Sequence, residues 1–178
     1  MKKYLFPLLA ALLLMMGCSG NKVSYKGFSF EYPANYKLEK NVNADGMRCK
    51  LSEKQTGDLF LVEVVPGFRK EWGMENSGNG EVGDFLANAV YDLYNQFFDS
   101  NEAVTLDGKF QIDSSSDKDL SPYAYAELTG KRDGVPFRAV INSDVWGDNQ
   151  VTTLILAYSE ARYHEMFNGI FGSYAWKE

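Results

Sequence analysis

The chain has 178 residues, with 18 Lys and Arg against 24 Asp and Glu and a formal net charge of −6. An acidic balance of this kind excludes a nucleic-acid-binding surface, which needs basic side chains to displace phosphate counterions, and gives no electrostatic grip on anionic lipid. The length is that of one domain, and an aromatic content of 15% suits a sheet-rich core.

Met1-Lys2-Lys3 precedes an uncharged run, Tyr4 to Met16, and then the small residues Gly17, Cys18, Ser19 and Gly20. Positive, apolar, then small is the order of a secretory signal peptide. The run falls short of the about 20 apolar residues a membrane span needs. The alternative, a buried core helix, sits badly at an extreme N-terminus behind two lysines. "MMGC", with Gly17 before Cys18, resembles the lipobox of bacterial lipoproteins, although Met15 and Met16 stand where Leu and a smaller residue are usual. That resemblance implies cleavage before Cys18, with diacylglycerol on its sulfur and a fatty acyl chain such as palmitate on its amine. Two or more chains anchor stably, at about 0.8 kcal/mol per buried CH₂. Ser19, with no acid at that position, resembles lipoproteins delivered to the outer rather than the inner membrane. Residues 1–17 are therefore read as a signal peptide, 18–24 as a tether and 25–178 as one extracytoplasmic domain. Loss of Lys2 and Lys3 leaves 16 basic against 24 acidic residues.

With Cys18 lipidated, Cys49 is left as the single thiol of an exported chain, to be buried or to form an intermolecular bridge. In "GMRCKLS" Met47, Cys49 and Leu51 alternate with Arg48, Lys50 and Ser52. On a strand that turns the thiol to the apolar face and the two cations, which would activate it, to the other. An inert, buried cysteine is expected. Without a lipid at Cys18, a Cys18–Cys49 disulfide remains the alternative.

Along the rest of the chain, "FSFEYP" (Phe28 to Pro33) alternates as a strand stopped by proline. "KLEKNV", "MRCKLS" and "LFLVEVV" are further strands, with a turn at Gly57. Pro66 to Gly80 has four glycines and no period, so it reads as a long loop. Its Phe68 and Trp72 are either lids on the core or a contact patch. Phe85, Leu86, Ala89, Val90, Leu93 and Phe97 fall at helical spacing, so a helix with one core-facing stripe is expected. Val104 to Ile112 contains Asp107-Gly108, a hairpin-turn signal. Three strands follow, Tyr123 to Thr129, Phe137 to Val145 and Val151 to Tyr158, joined by short turns that require antiparallel pairing. Ser159 is placed to cap a final helix, whose apolar stripe is read as Tyr163, Met166, Phe167, Ile170, Phe171 and Tyr174.

Strands, helix, strands, helix imply an α+β fold: an antiparallel sheet flanked by two amphipathic helices in an α/β/α sandwich. "GFSFEYPANYK" opening the domain and "TTLILAYSEARYHEMFNGIFGSY" closing it resemble the PsbP-like fold, to which the photosystem II extrinsic protein and a Ran-binding nuclear-import factor belong. The resemblance implies an assembly, accessory or binding role and carries over no catalytic residues.

The chemistry agrees with that. His164 is the single histidine and reads as a helix-surface residue; no G-x-S-x-G is present, and one His with one Cys does not make a zinc site. Asp113, Asp117 and Asp119 offer oxygen ligands that suit calcium, yet Ser115 breaks the EF-hand pattern and the glycine and distal Glu are missing, so a solvated loop is favoured. No metal and no cofactor are expected. Trp146, in "DVWGDN" beside Asp148, either anchors a partner or sugar or closes a sheet edge. The reading is a membrane-tethered lipoprotein that binds a protein partner without catalysis, with Trp72, Trp146 and Asp148 as contact candidates. A small-molecule or glycan binder comes second and an extracytoplasmic hydrolase last, the last to be revived by a cleft holding a perturbed carboxylate such as Asp144 or Asp148.

Overall fold

The computed structural model describes residues 21–71, 79–99, 101–115 and 122–177. The chain is an α+β protein built on one large antiparallel sheet. Its strands are β3 (Tyr36–Val42), β4 (Met47–Glu53), β5 (Leu59–Val65), β6 (Val104–Leu106), β7 (Asp113–Ser115), β8 (Tyr123–Arg132), β9 (Val135–Trp146) and β10 (Asn149–Ala157). They run in the order β3-β4-β5-β10-β9-β8-β6, with β7 also on β8. A second, three-stranded sheet joins β1 (Asn21–Tyr25), β2 (Phe28–Tyr32) and β11 (Ala175–Trp176) in the order β1-β2-β11. The helices are α1 (Phe68–Glu71), α2 (Asn79–Tyr94) and α3 (Glu160–Gly169).

The strands follow their side-chain patterns. β4 alternates buried and partly exposed residues along its whole length, as a strand with one covered face does. All nine residues of β10 are buried, because it lies mid-sheet with both faces covered. The β8–β9 turn uses Asp133 and Gly134, both at positive φ (52° and 78°), the backbone a two-residue hairpin with right-handed twist demands.

Each face of the sheet carries its own core. On one, Val82, Leu86, Val90 and Leu93 of α2 pack on Leu61, Ala126, Ile141 and Leu154. On the other, Phe28 and Phe30 of β2, Tyr163 and Met166 of α3 and Ile170 at its C-cap pack on Cys49, Leu51, Phe60, Val62 and Ile155. Burying one such ring or branched side chain is worth about 1.5–3 kcal/mol. Cys49 is buried among them, and burial pushes its thiol up to about 11, which keeps it protonated and unreactive.

Four expectations need correction. The fold begins inside the stretch assigned to the tether, since Asn21–Tyr25 pairs with β2 through alternating Val23 and Tyr25. Within the Pro66–Gly80 loop, Phe68–Glu71 forms a helical turn and α2 starts at Asn79; Phe68 is a core residue. Asp107-Gly108 does not join a hairpin: β6 and β7 each pair with β8, opposite Gly130–Arg132 and Tyr123–Tyr125. Phe110, between them, stacks on Tyr94 of α2 at 3.7 Å, which draws the connection off the sheet. Finally, the last helix stops at Gly169, a 3₁₀ turn follows over Phe171–Ser173, and Phe171 and Tyr174 of the expected stripe lie beyond the α-helix.

Trp176 closes the second sheet over the first. A methyl group at Gly147 would lie 2.4 Å from its ring, and one at Gly27 2.9 Å. Both glycines have positive φ (64° and 84°), so glycine is required twice over at each turn. Asn149 Nδ2 donates to Lys26 O across the same junction at 3.3 Å.

Candidate functional site

The elements covering the second face do not span it. β1, β2, β11 and α3 lie over β3, β4, β5 and β10 and stop at β9. Register puts Tyr123, Tyr125 and Glu127 of β8 opposite Asp144, Asn142 and Val140 of β9, all on this face. Polar side chains there coincide with the end of the cover. The result is a cleft of about 370 Å³ between β8–β9 and α3.

Its floor is Tyr125, Asn142 and Asp144, and its wall is Tyr163, Phe167 and Phe171. The wall rings stack in series, with centroids at 6.0 Å and 5.1 Å and planes within 23°. Tyr163 and Phe167 come from the flank of α3 at i and i+4 and Phe171 from the 3₁₀ turn that follows, while Met166 and the C-cap Ile170 are buried on the sheet. Phe167 is accordingly 37% exposed, not the core residue that its place in the apolar stripe predicts.

The charges are unevenly answered. At one end Arg138 pairs with Glu127 Oε1 (2.7 Å) and with Glu160, and its guanidinium lies 4.1 Å from the Tyr163 ring centre. At the other, half-buried Asp144 accepts from the neutral Asn142 amide; burial holds its carboxyl above the usual range, and that hydrogen bond offsets the effect in part. Asp113 of β7 accepts from Tyr125, whose hydroxyl is thereby held protonated. Among the described residues lining the cleft none is a Lys or Arg.

Asp144 is the perturbed carboxylate in a cleft that a hydrolase would need. A glycosidase-type pair needs carboxyls about 5–5.5 Å or 6.5–9.5 Å apart. Glu127 stands four residues along the strands from Asp144 by register, roughly 13 Å, and turns to Arg138 on the side away from it. His164 is exposed and pairs with Glu160 at 3.1 Å. Among the described residues no group of three or more His, Cys, Asp or Glu converges on a metal position.

Of the residues singled out in the sequence, Asp144 lies in this cleft, and Trp146 and Asp148 lie outside it. Trp146 is half-buried against the rings of Phe28 and Tyr174, 6.2 Å and 6.0 Å away, at the end of an interior strand. Asp148 is exposed in the β9–β10 turn, and its carbonyl accepts from Phe68 N at 2.8 Å. Trp72, Cys18, Asp117 and Asp119 lie outside the described residues. The cleft had one sequence signal: Tyr125, Asn142 and Asp144 interrupt the apolar pattern of two long strands, which marks where a covering element ends.

A second depression, about 280 Å³, lies at the opposite corner on the other face, by Asn43 and Gly46. Its Glu63 is already met by Arg48 Nε at 3.1 Å, and Arg48 Nη2 donates to Gln96 at 2.7 Å. Among the described residues no helix is long and apolar enough to cross a membrane.

No family model and no curated protein matches the chain. Among solved structures it is similar to a crystal structure, at 1.50 Å resolution, of a protein from Bacteroides thetaiotaomicron VPI-5482, with 12% identity and a TM-score of 0.49. The match covers 90% of this chain and 50% of that one, so the chain spans half the length of this structural neighbour.

Proposed function

We propose that the chain is an exported, lipid-tethered binding module, non-enzymatic, whose protein partner seats in the cleft between β8–β9 and α3. The observation that carries the reading is the mismatch between sheet and cover: a wall of stacked aromatic rings with an exposed Phe167 beside an open polar floor. Aromatic rings bordered by polar groups are the composition of a recognition surface. The PsbP-like resemblance points the same way. It is supported by a central antiparallel sheet with α2 on one face and α3 on the other, and the β1-β2-β11 sheet is an addition to that plan. The tether rests on the lipobox. Cys18 precedes β1 by two residues, so a lipid there holds the second sheet within about 10 Å of the headgroups.

The test is a photocrosslinking residue at position 167 in the full-length protein, in its native envelope, read by mass spectrometry. Capture of one protein at near-equal amount, together with a lipid-modified Cys18 peptide, is the expected result. An unmodified Cys18, or no capture at 167, overturns the corresponding half of the reading.

A further inference from the structure

We infer that the cleft receives a cationic side chain of the protein partner, an arginine or lysine, with its charge on Asp144 and its apolar arm on Phe167 and Phe171. The inference rests on the cleft being the binding site.

The chain itself supplies the pattern. At the near end of the wall, Arg138 lies on the Tyr163 ring between the carboxylates of Glu127 and Glu160. A guanidinium over an aromatic face and between carboxylates is favourable on both counts. Further along the same stack the rings are Phe167 and Phe171 and the carboxylate is Asp144. Among the described residues the cation is the missing member, because Asp144 is met there by the neutral Asn142 amide. Asp113 and Glu127 add negative charge to the same face, with Arg138 already engaged.

Desolvation of Asp144 supports this independently of the pattern. Its carboxyl is held above its ordinary range by burial, a penalty that an entering cation removes. A neutral ligand such as a sugar also stacks on aromatic rings, but it leaves this carboxylate without a countercharge. At the opposite corner burial also raises the Glu63 carboxyl, but there Arg48 Nε already meets it at 3.1 Å and offsets the effect in part.

The experiment titrates N-acetyl-arginine amide, and its neutral isostere N-acetyl-citrulline amide, into the detergent-solubilised full-length protein by calorimetry. Saturable binding of the arginine derivative is expected, with the citrulline derivative weaker by about tenfold or more. Asp144→Asn should weaken arginine binding about tenfold or more, and Phe167→Ala several-fold. Glu39→Gln, on strand β3 away from the cleft, should change nothing and so controls for general charge. Circular dichroism confirms that each variant is folded. Equal binding of the two derivatives, no saturable heat with the arginine derivative, or an unchanged affinity in Asp144→Asn overturns the inference. Capture of a partner from position 167 in the presence of any of those results leaves the site standing and removes only its cation chemistry.

Discussion

Two carboxylates flank helix α3, and they are treated in opposite ways. Asp58 is wholly buried. Its oxygens accept from Tyr158 N (2.9 Å), Arg162 Nε (3.0 Å) and Thr56 Oγ1 (2.5 Å). Arg162 also reaches Tyr36 OH at 3.3 Å and Glu165 at 2.5 Å, so charge and hydrogen-bonding capacity are both used. Asp144, at the far side, is half-buried and has one amide. A buried charge is tolerable only when compensated. The first is therefore part of the fold, pinning the β4–β5 turn to the helix, whereas the second is met by no cation among the described residues.

The largest way to break this contrast is to make Asp58 resemble Asp144. Arg162→Met leaves a buried carboxylate without its cation, and should lower unfolding stability by about 3–5 kcal/mol, measured by urea denaturation. A loss under about 1 kcal/mol would mean that backbone and Thr56 donors alone suffice for Asp58.

Gly147→Ala attacks the cover instead. The added methyl meets the Trp176 ring at 2.4 Å and sits on a residue with φ 64°. Left-handed strain of this kind costs about 1–3 kcal/mol, and the displaced ring should alter tryptophan fluorescence. An unchanged melting temperature and spectrum would show that β11 is not needed to close the second sheet.

The pH dependence of two single variants sharpens the comparison. The folded carboxyl of Asp144 is raised by burial, so the native state holds its proton longer than the unfolded chain. Its penalty is absent below the unfolded value, about 3.9, and grows as pH rises through the folded one. Asp144→Asn should match the parent protein in acid and exceed its stability at neutral pH. Glu53, beside Asp58, is lowered chiefly by the Thr56 backbone N–H. Its contribution is present above about 4.3 and lost as pH falls through the folded value. Glu53→Gln should therefore be less stable at neutral pH and converge with the parent in acid. Parallel pH–stability curves for the two variants would erase the distinction between the two ends of the helix.

Phe167→Ala should have the smallest effect on stability, within about 0.5 kcal/mol, as for a surface substitution, while partner capture or arginine binding falls. A loss of several kcal/mol would return Phe167 to the core.

Local patterns in this sequence determined strands β2 to β5 and β8 to β10, the long helix, the Ser159 cap, which accepts from Arg162 N, and the inward face of Cys49. These are local matters: alternation selects a face, 3.6-residue spacing selects a stripe, and a hydroxyl before a helix satisfies a free N–H. Tertiary structure decided what covers each face. "SYAW" reads as the continuation of an amphipathic helix, but Ala175–Trp176 pairs with Phe28–Ser29, which lie nearly the whole chain away. Asp107-Gly108 has the dipeptide of a tight turn, yet Phe110 gains more by stacking on Tyr94. Asp58, in a turn, and Asp144, in a strand, are both lone aspartates that the sequence does not tell apart in role. Among the described residues Arg162 arrives beside one and no cation beside the other, and that difference separates them, because compensation of a charge depends on distance in space and not along the chain.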